Sequence, residues 1–117
     1  MSSNRDYILF LDDILESIRR IEKYTEDLAY DDFQQDEMTI DAVVRNFEII
    51  GEAVSNIPGE LKDDYPDVEW KEAIGFRNVM IHDYFGVDKE TVWETIQTNL
   101  PPLKQNILRV KREEESA

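Results

Sequence analysis

Ile40-Asp41-Ala42-Val43-Val44-Arg45-Asn46-Phe47-Glu48-Ile49-Ile50-Gly51-Glu52-Ala53-Val54-Ser55-Asn56-Ile57 decides the fold class. Within it Ile40, Val43, Phe47, Ile50, Val54 and Ile57 recur at spacings of three, four, three, four and three. That period places them on one stripe of a helix and excludes a half-buried strand, whose apolar residues would alternate. Pro58-Gly59 ends the pattern. Upstream, Tyr7, Leu11, Ile14, Ile18 and Ile21 follow the same rule, and Thr25 and Leu28 continue it. Ser3, with Asp6 three residues on, reads as the N-cap of that first helix. Tyr30 to Asp36 is a polar bridge between the two helices.

Downstream, one helical turn is expected around Glu60 to Asp64, followed by Tyr65-Pro66-Asp67. Asp67 is read as the N-cap of a third helix running to about Phe85, where Gly86 stops it. Ala73 to Ile81 is apolar on nearly all sides, which predicts central burial. Asp88 caps a last helix whose stripe is Trp93, Ile96, Leu100, Leu103, Ile107 and Val110. The register holds through Pro101-Pro102, so one kinked helix is expected rather than two. Residues from Lys111 to Ala117 are expected to fray. Gly51 and Gly75 both interrupt helices, at a cost of about 1 kcal/mol each, and close helix–helix approach is the reading favoured over tolerated weak spots. The expected fold is an all-α bundle of four long helices in a single domain spanning 1–117.

Composition bounds the function. Of 117 residues 41% are apolar and 34% charged, enough for one core and a well-solvated surface. With no Cys, disulfides, a thiolate nucleophile and cysteine-ligated zinc are excluded, and a reducing, cytoplasmic address is expected. A single His leaves too few soft ligands for a dedicated transition-metal site. No cofactor, targeting segment or membrane span is expected. The net charge of −14 argues against a general nucleic-acid binder, DNA included, and against a membrane-surface protein. Any phosphate site must be a basic pocket inside a negative field.

One segment carries chemistry: Arg77-Asn78-Val79-Met80-Ile81-His82-Asp83-Tyr84-Phe85. Arg77 falls where the stripe Trp70, Ile74, Ile81, Tyr84 asks for a core residue. A guanidinium stays charged, so either an acidic partner, for example Glu48 or Glu52, meets it as a strut, or the stripe opens onto a cleft. His82 lies five residues on, about 140° round an ideal helix, so the two side chains flank a face. A lone His near a helix end is also a common satisfied polar group. Asn78, Asp83 and Tyr84 complete a polar cluster in an otherwise apolar helix, a pattern more frequent at sites than elsewhere. The acid pairs Asp12/Asp13, Asp31/Asp32 and Asp63/Asp64 read as solvated charge, with a weak Mg²⁺ site as the alternative. Lys104, Arg109, Lys111 and Arg112 form a basic end that complements the last helix's own dipole.

Arg77-x4-His82-x-Tyr84 resembles the RX4HXY motif of the HepT toxins in the HEPN superfamily. The flanks Phe47-Glu48-Ile49-Ile50-Gly51-Glu52-Ala53, Trp70 and Phe85-Gly86-Val87-Asp88 fit as well. The resemblance runs from Tyr7 to about Val110. It implies an up-and-down bundle of four to five helices that forms a homodimer, two Arg/His motifs sharing one cleft. It implies a metal-independent endoribonuclease acting on RNA, with Arg77 and His82 catalytic and Asn78 and Asp83 supporting. It further implies a toxin–antitoxin pair, in which a minimal nucleotidyltransferase antitoxin silences the toxin by transferring AMP to the motif tyrosine, Tyr84. Two other readings stand beside this one: a non-catalytic substrate-binding or dimerisation subunit of a nucleotidyltransferase, and a plain structural bundle.

Overall fold

A computed structural model describes residues 4–79 and 88–116, with side chains for 7–77 and 88–116. Seven helices make up the described residues, and no strand occurs among them: α1 (Asn4–Thr25), α2 (Tyr30–Gln35), α3 (Glu37–Ser55), α4 (Gly59–Asp64), α5 (Trp70–Val79), α6 (Lys89–Thr98) and α7 (Leu100–Ser116). None of them is long and apolar enough to cross a membrane.

The two predicted stripes meet. Leu11, Ile14, Ile18 and Ile21 of α1 are fully buried, as are Val43, Phe47, Ile50 and Val54 of α3. Thr25 continues the α1 stripe by turning its hydroxyl back to donate to the Ile21 carbonyl at 2.8 Å, which lets a polar residue be buried. The α3 helix packs along α1, α5 and α2, so it is the central element. The expectation of all-round burial covers Ala73 to Ile81; among its described side chains Ala73 and Phe76 are buried and Ile74 and Arg77 half-buried, and the side chains of 78–81 lie outside the described residues.

Five expectations change. The polar bridge is itself a helix: Asp32 reaches back to accept from the Ala29 N–H at 3.1 Å, and Phe33 is buried beneath Trp93, rings 5.1 Å apart. The third helix begins at Trp70, not after Asp67, because Asp67 is drawn into an ion pair with Arg109. The last helix is two helices. Pro101 and Pro102 lack N–H groups, so they end α6 and occupy the first turn of α7, where those donors would have no intrahelical partner. The C-terminal stretch does not fray. Glu114 accepts from the hydroxyls of Tyr7 at 2.9 Å and Tyr65 at 2.7 Å, and Lys111 pairs with Asp12 at 2.7 Å. The cap read at Asp88 holds, Asp88 accepting from the Thr91 N–H at 3.1 Å, whereas the stop read at Pro58-Gly59 comes earlier: α3 ends at Ser55, and Pro58-Gly59 opens α4. Asp36 caps α3 through Thr39, whose hydroxyl and then N–H hold the Asp36 carboxyl below its ordinary value. Ser3, and the stop at Phe85-Gly86, lie outside the described residues.

The Glu114 clamp makes stability sensitive to alkali. Burial first, then the hydrogen bond to Glu114, push the Tyr65 hydroxyl well above its ordinary value near 10, and the same causes raise Tyr7. A raised acid favours the folded state while it is neutral. The contribution is therefore complete below about pH 10, the unfolded tyrosine value, and is lost as pH climbs above it. Melting temperature should fall between about pH 10 and 11 in the parent protein and fall less in the Tyr7→Phe/Tyr65→Phe double variant. Parallel pH profiles for the two proteins would refute the clamp's titration.

Candidate functional site

The motif helix is placed by aromatic packing and by one glycine. Phe76 meets Phe47 edge to face, centroids 5.1 Å apart and planes at 77°. Gly51 lets α5 lie directly on α3: a Cβ there would come within 3.0 Å of the Ile74 carbonyl oxygen and the Arg77 Cβ, and 3.1 Å of the Arg77 nitrogen. Close approach is thus the correct reading for Gly51. It fails for Gly75, where a Cβ would meet nothing within 4 Å among the described residues. The two glycines should respond oppositely to substitution. Gly51→Val has to push α5 off α3 and should cost about 1–3 kcal/mol. Gly75→Ala should gain up to about 1 kcal/mol from helix propensity alone. Urea unfolding of both variants tests the pair; equal shifts would mean the contact at Gly51 has been misread.

Arg77 comes next, one residue after the buried Phe76. The Arg77 Cβ faces α3 at the Gly51 contact, so Arg77 holds the packed position the stripe assigned it, and its side chain runs from there out to a groove. Its side chain keeps 36% of its exposure. Both alternatives for it hold at once. Nη1 donates to Glu52 Oε1 at 2.9 Å and to the Ser55 hydroxyl at 3.3 Å, and the guanidinium borders an open groove. Among the described residues, Nε and Nη2 donate to no other group.

The groove has a volume of about 420 Å³ and is walled by Phe10 and Asp13 of α1, Arg45, Glu48 and Glu52 of α3, and Arg77 of α5. Arg45 reaches Glu48 at 3.6 Å. Two arginines thus face three carboxylates, and each arginine is paired. Elsewhere the basic end of the last helix is also engaged: Lys104 with Glu22 at 3.0 Å, Arg109 with Asp67, Lys111 with Asp12. These cations tie α7 to other elements instead of serving its dipole. No group of three His, Asp or Glu side chains able to hold a metal ion occurs among the described residues.

Of the predicted site residues, the structure describes the side chain of Arg77 alone. Asn78 lies in α5 as backbone, and His82, Asp83 and Tyr84 lie outside the described residues. Sequence reasoning named Glu52 as one of two partners for Arg77 but missed Ser55 and the groove walls. The signal was present. Arg45, Glu48, Glu52 and Ser55 are spaced three, four, three, a polar stripe beside the apolar one on the same helix.

Comparison with known proteins gives one family. The sequence profile described as "Ribonuclease HepT-like" matches residues 14–110. The chain is 40% identical over 110 residues to "Probable ribonuclease HepT" of Thermococcus cleftensis, covering 94% of this chain and 97% of that one. It is 43% identical over 109 residues to a Methanocaldococcus jannaschii protein named "Gamma-glutamylcyclotransferase and putative RNase", covering 93% of this chain but only 49% of that relative, about half its length. A second M. jannaschii protein, named a "Putative RNase", is 40% identical over 90% of this chain and 96% of its own. No solved structure gives a significant match.

Proposed function

The chain belongs to the HepT-like ribonuclease family, and on that premise we propose that it is a metal-independent endoribonuclease, the toxin of a toxin–antitoxin pair. The observation that carries this reading is the Arg77 guanidinium, anchored at Nη1 on the rim of an open groove with its Nε–Nη2 edge unengaged by described residues. That edge is the planar fork suited to two oxygens of one phosphate. In the proposed reaction the ribose 2′-hydroxyl loses its proton as its oxygen attacks phosphorus. The bond from phosphorus to the 5′-oxygen breaks, and that oxygen takes up a proton. The products are a 2′,3′-cyclic phosphate and a 5′-hydroxyl. Arg77 stabilises the charge on the in-line phosphorane, and His82 handles the protons, the acid–base role for which imidazole is the most common side chain. Asn78 and Asp83 position the phosphate or the catalytic pair. A homodimer would set two such motifs about one cleft and overcome the 140° separation on a single helix.

Regulation is proposed at Tyr84, as acceptor for AMP from a minimal nucleotidyltransferase antitoxin. Tyr84 comes seven residues after Arg77 in sequence, a spacing that on an ideal helix is two turns along and about 20° round. Added phosphates there would repel RNA from the Arg77 groove. The −14 charge and the carboxylates around both arginines favour the alternative, a non-catalytic binding subunit of a nucleotidyltransferase. Two assays separate them. Purified protein in EDTA should cleave RNA and leave cyclic or 3′-phosphate ends, an outcome the binding-subunit reading forbids. Co-expression with a minimal nucleotidyltransferase antitoxin should add whole AMP units to the Tyr84 peptide, absent in Tyr84→Phe.

A further inference from the structure

We propose that Glu52 and Ser55 form the holder that sets the working position of Arg77, and that the negative charge of Glu52 restrains how tightly RNA phosphate is taken up. The inference rests on the ribonuclease reading and extends it to residues outside the Arg77–Tyr84 motif. Its basis is which nitrogen is used. Both described hydrogen bonds leave from Nη1, to Glu52 at 2.9 Å and Ser55 at 3.3 Å, so the guanidinium is fixed at one corner while the opposite edge is unengaged by the described residues. A long arginine side chain otherwise samples many rotamers, and its fork is useful only when aimed. The holder stands at a fixed height on α3 because Gly51, one residue before Glu52, lies directly against α5, where a Cβ would come within 3.0 Å of the Ile74 carbonyl oxygen and the Arg77 Cβ. Position and anchor are thereby set by one contact.

The charge has a second effect. Glu48 is already taken by Arg45 at 3.6 Å, which leaves Glu52 as the carboxylate on Arg77 among the described residues. A phosphate arriving at the Nε–Nη2 edge meets a cation whose charge is shared with that carboxylate. The side chain of Glu52 is 66% exposed, so water screens the effect to a modest size. It therefore tunes affinity and does not block it. Ser55 supplies an uncharged anchor at the same nitrogen.

Glu52→Gln keeps an oxygen acceptor and removes the charge, whereas Glu52→Ala removes both. On a single-stranded RNA of mixed sequence, Glu52→Gln should lower KM about threefold at low salt. The dependence of log affinity on log salt should steepen by about 0.7, one further phosphate contact made fully effective. Glu52→Ala should lower kcat about tenfold through a misplaced guanidinium, and Glu52→Gln should recover that loss. Ser55→Ala should lower kcat in the same direction with no change in salt slope. A purely structural ion pair predicts something else: equal loss of melting temperature in Glu52→Ala and Glu52→Gln, with KM, kcat and salt slope at parent values. That outcome overturns the proposal, as does an equal loss of kcat in both variants. Arg77→Ala runs alongside. If it cleaves normally, the ribonuclease reading of Arg77 fails and the holder fails with it; if it is dead and the Glu52 variants behave as parent, the holder alone is wrong.

Discussion

Arg77→Ala and His82→Ala are each expected to reduce RNA cleavage by a factor of about 10² to 10⁴, with the fold intact. Removing His82 leaves no substitute, because the chain contains a single histidine. Removing Arg77 takes away the guanidinium on the groove's rim, and Arg45, the other arginine in the wall, is already turned to Glu48. Arg77→Lys is the sharper test. It keeps the charge but not the planar fork, so a role in general charge neutralisation predicts substantial activity, whereas bidentate phosphate contact predicts loss close to that of alanine. The fold should tolerate these changes, since Arg77 is partly exposed and its ion pair with Glu52 is a surface pair of about 0–1 kcal/mol. Single-turnover cleavage with circular dichroism on the same samples decides it. Normal cleavage by His82→Ala would remove the proposed acid–base group.

Phe47→Ala is expected to cost about 3–5 kcal/mol, a large share of the 5–15 kcal/mol that holds a domain of this size together. Phe47 is fully buried in the central helix, and its ring is the edge-to-face partner of Phe76. The substitution opens a cavity under α5, and neighbouring helix backbones cannot close over it cheaply. Because Phe76 immediately precedes Arg77, cleavage should drop as well, with no groove residue altered. Phe47→Leu fills most of the volume and should fall between parent and alanine. Urea unfolding should show a lower midpoint at an unchanged slope; a loss under 1 kcal/mol would mean that the contact does not support α5.

The apolar stripes were legible because each is a simple period that a single helix satisfies alone. Every residue from Ile40 to Ile57 on the α3 stripe is buried. What was not legible depends on partners far along the chain. Asp67 reads as a cap until Arg109, forty-two residues later, draws its carboxylate away. Residues after Lys111 read as a charged tail until Tyr7 and Tyr65 close on Glu114. The α2 helix was hidden because six residues with one buried Phe carry too little period to recognise. At the site, the motif spacing marked Arg77 and its stripe position, but Ser55 and the groove beside it come from α3 and α1, which the local period of α5 does not report.

Tyr7 and Glu114 are 107 positions apart, and their hydrogen bond has a consequence for the order of assembly. The α1–α3 seam closes a loop a few tens of residues long, whereas docking α7 onto α1 closes nearly the whole chain. The added entropy of the longer loop grows only logarithmically, by about 0.6 kcal/mol per doubling, but it is incurred before the contacts form. The α1–α3 pair is therefore expected to form first and α7 to dock last, onto a surface that already exists. In reverse, α7 is the segment expected to detach first, and its amides should exchange with solvent through an opening cheaper than global unfolding, while those of α3 wait for the whole chain to unfold.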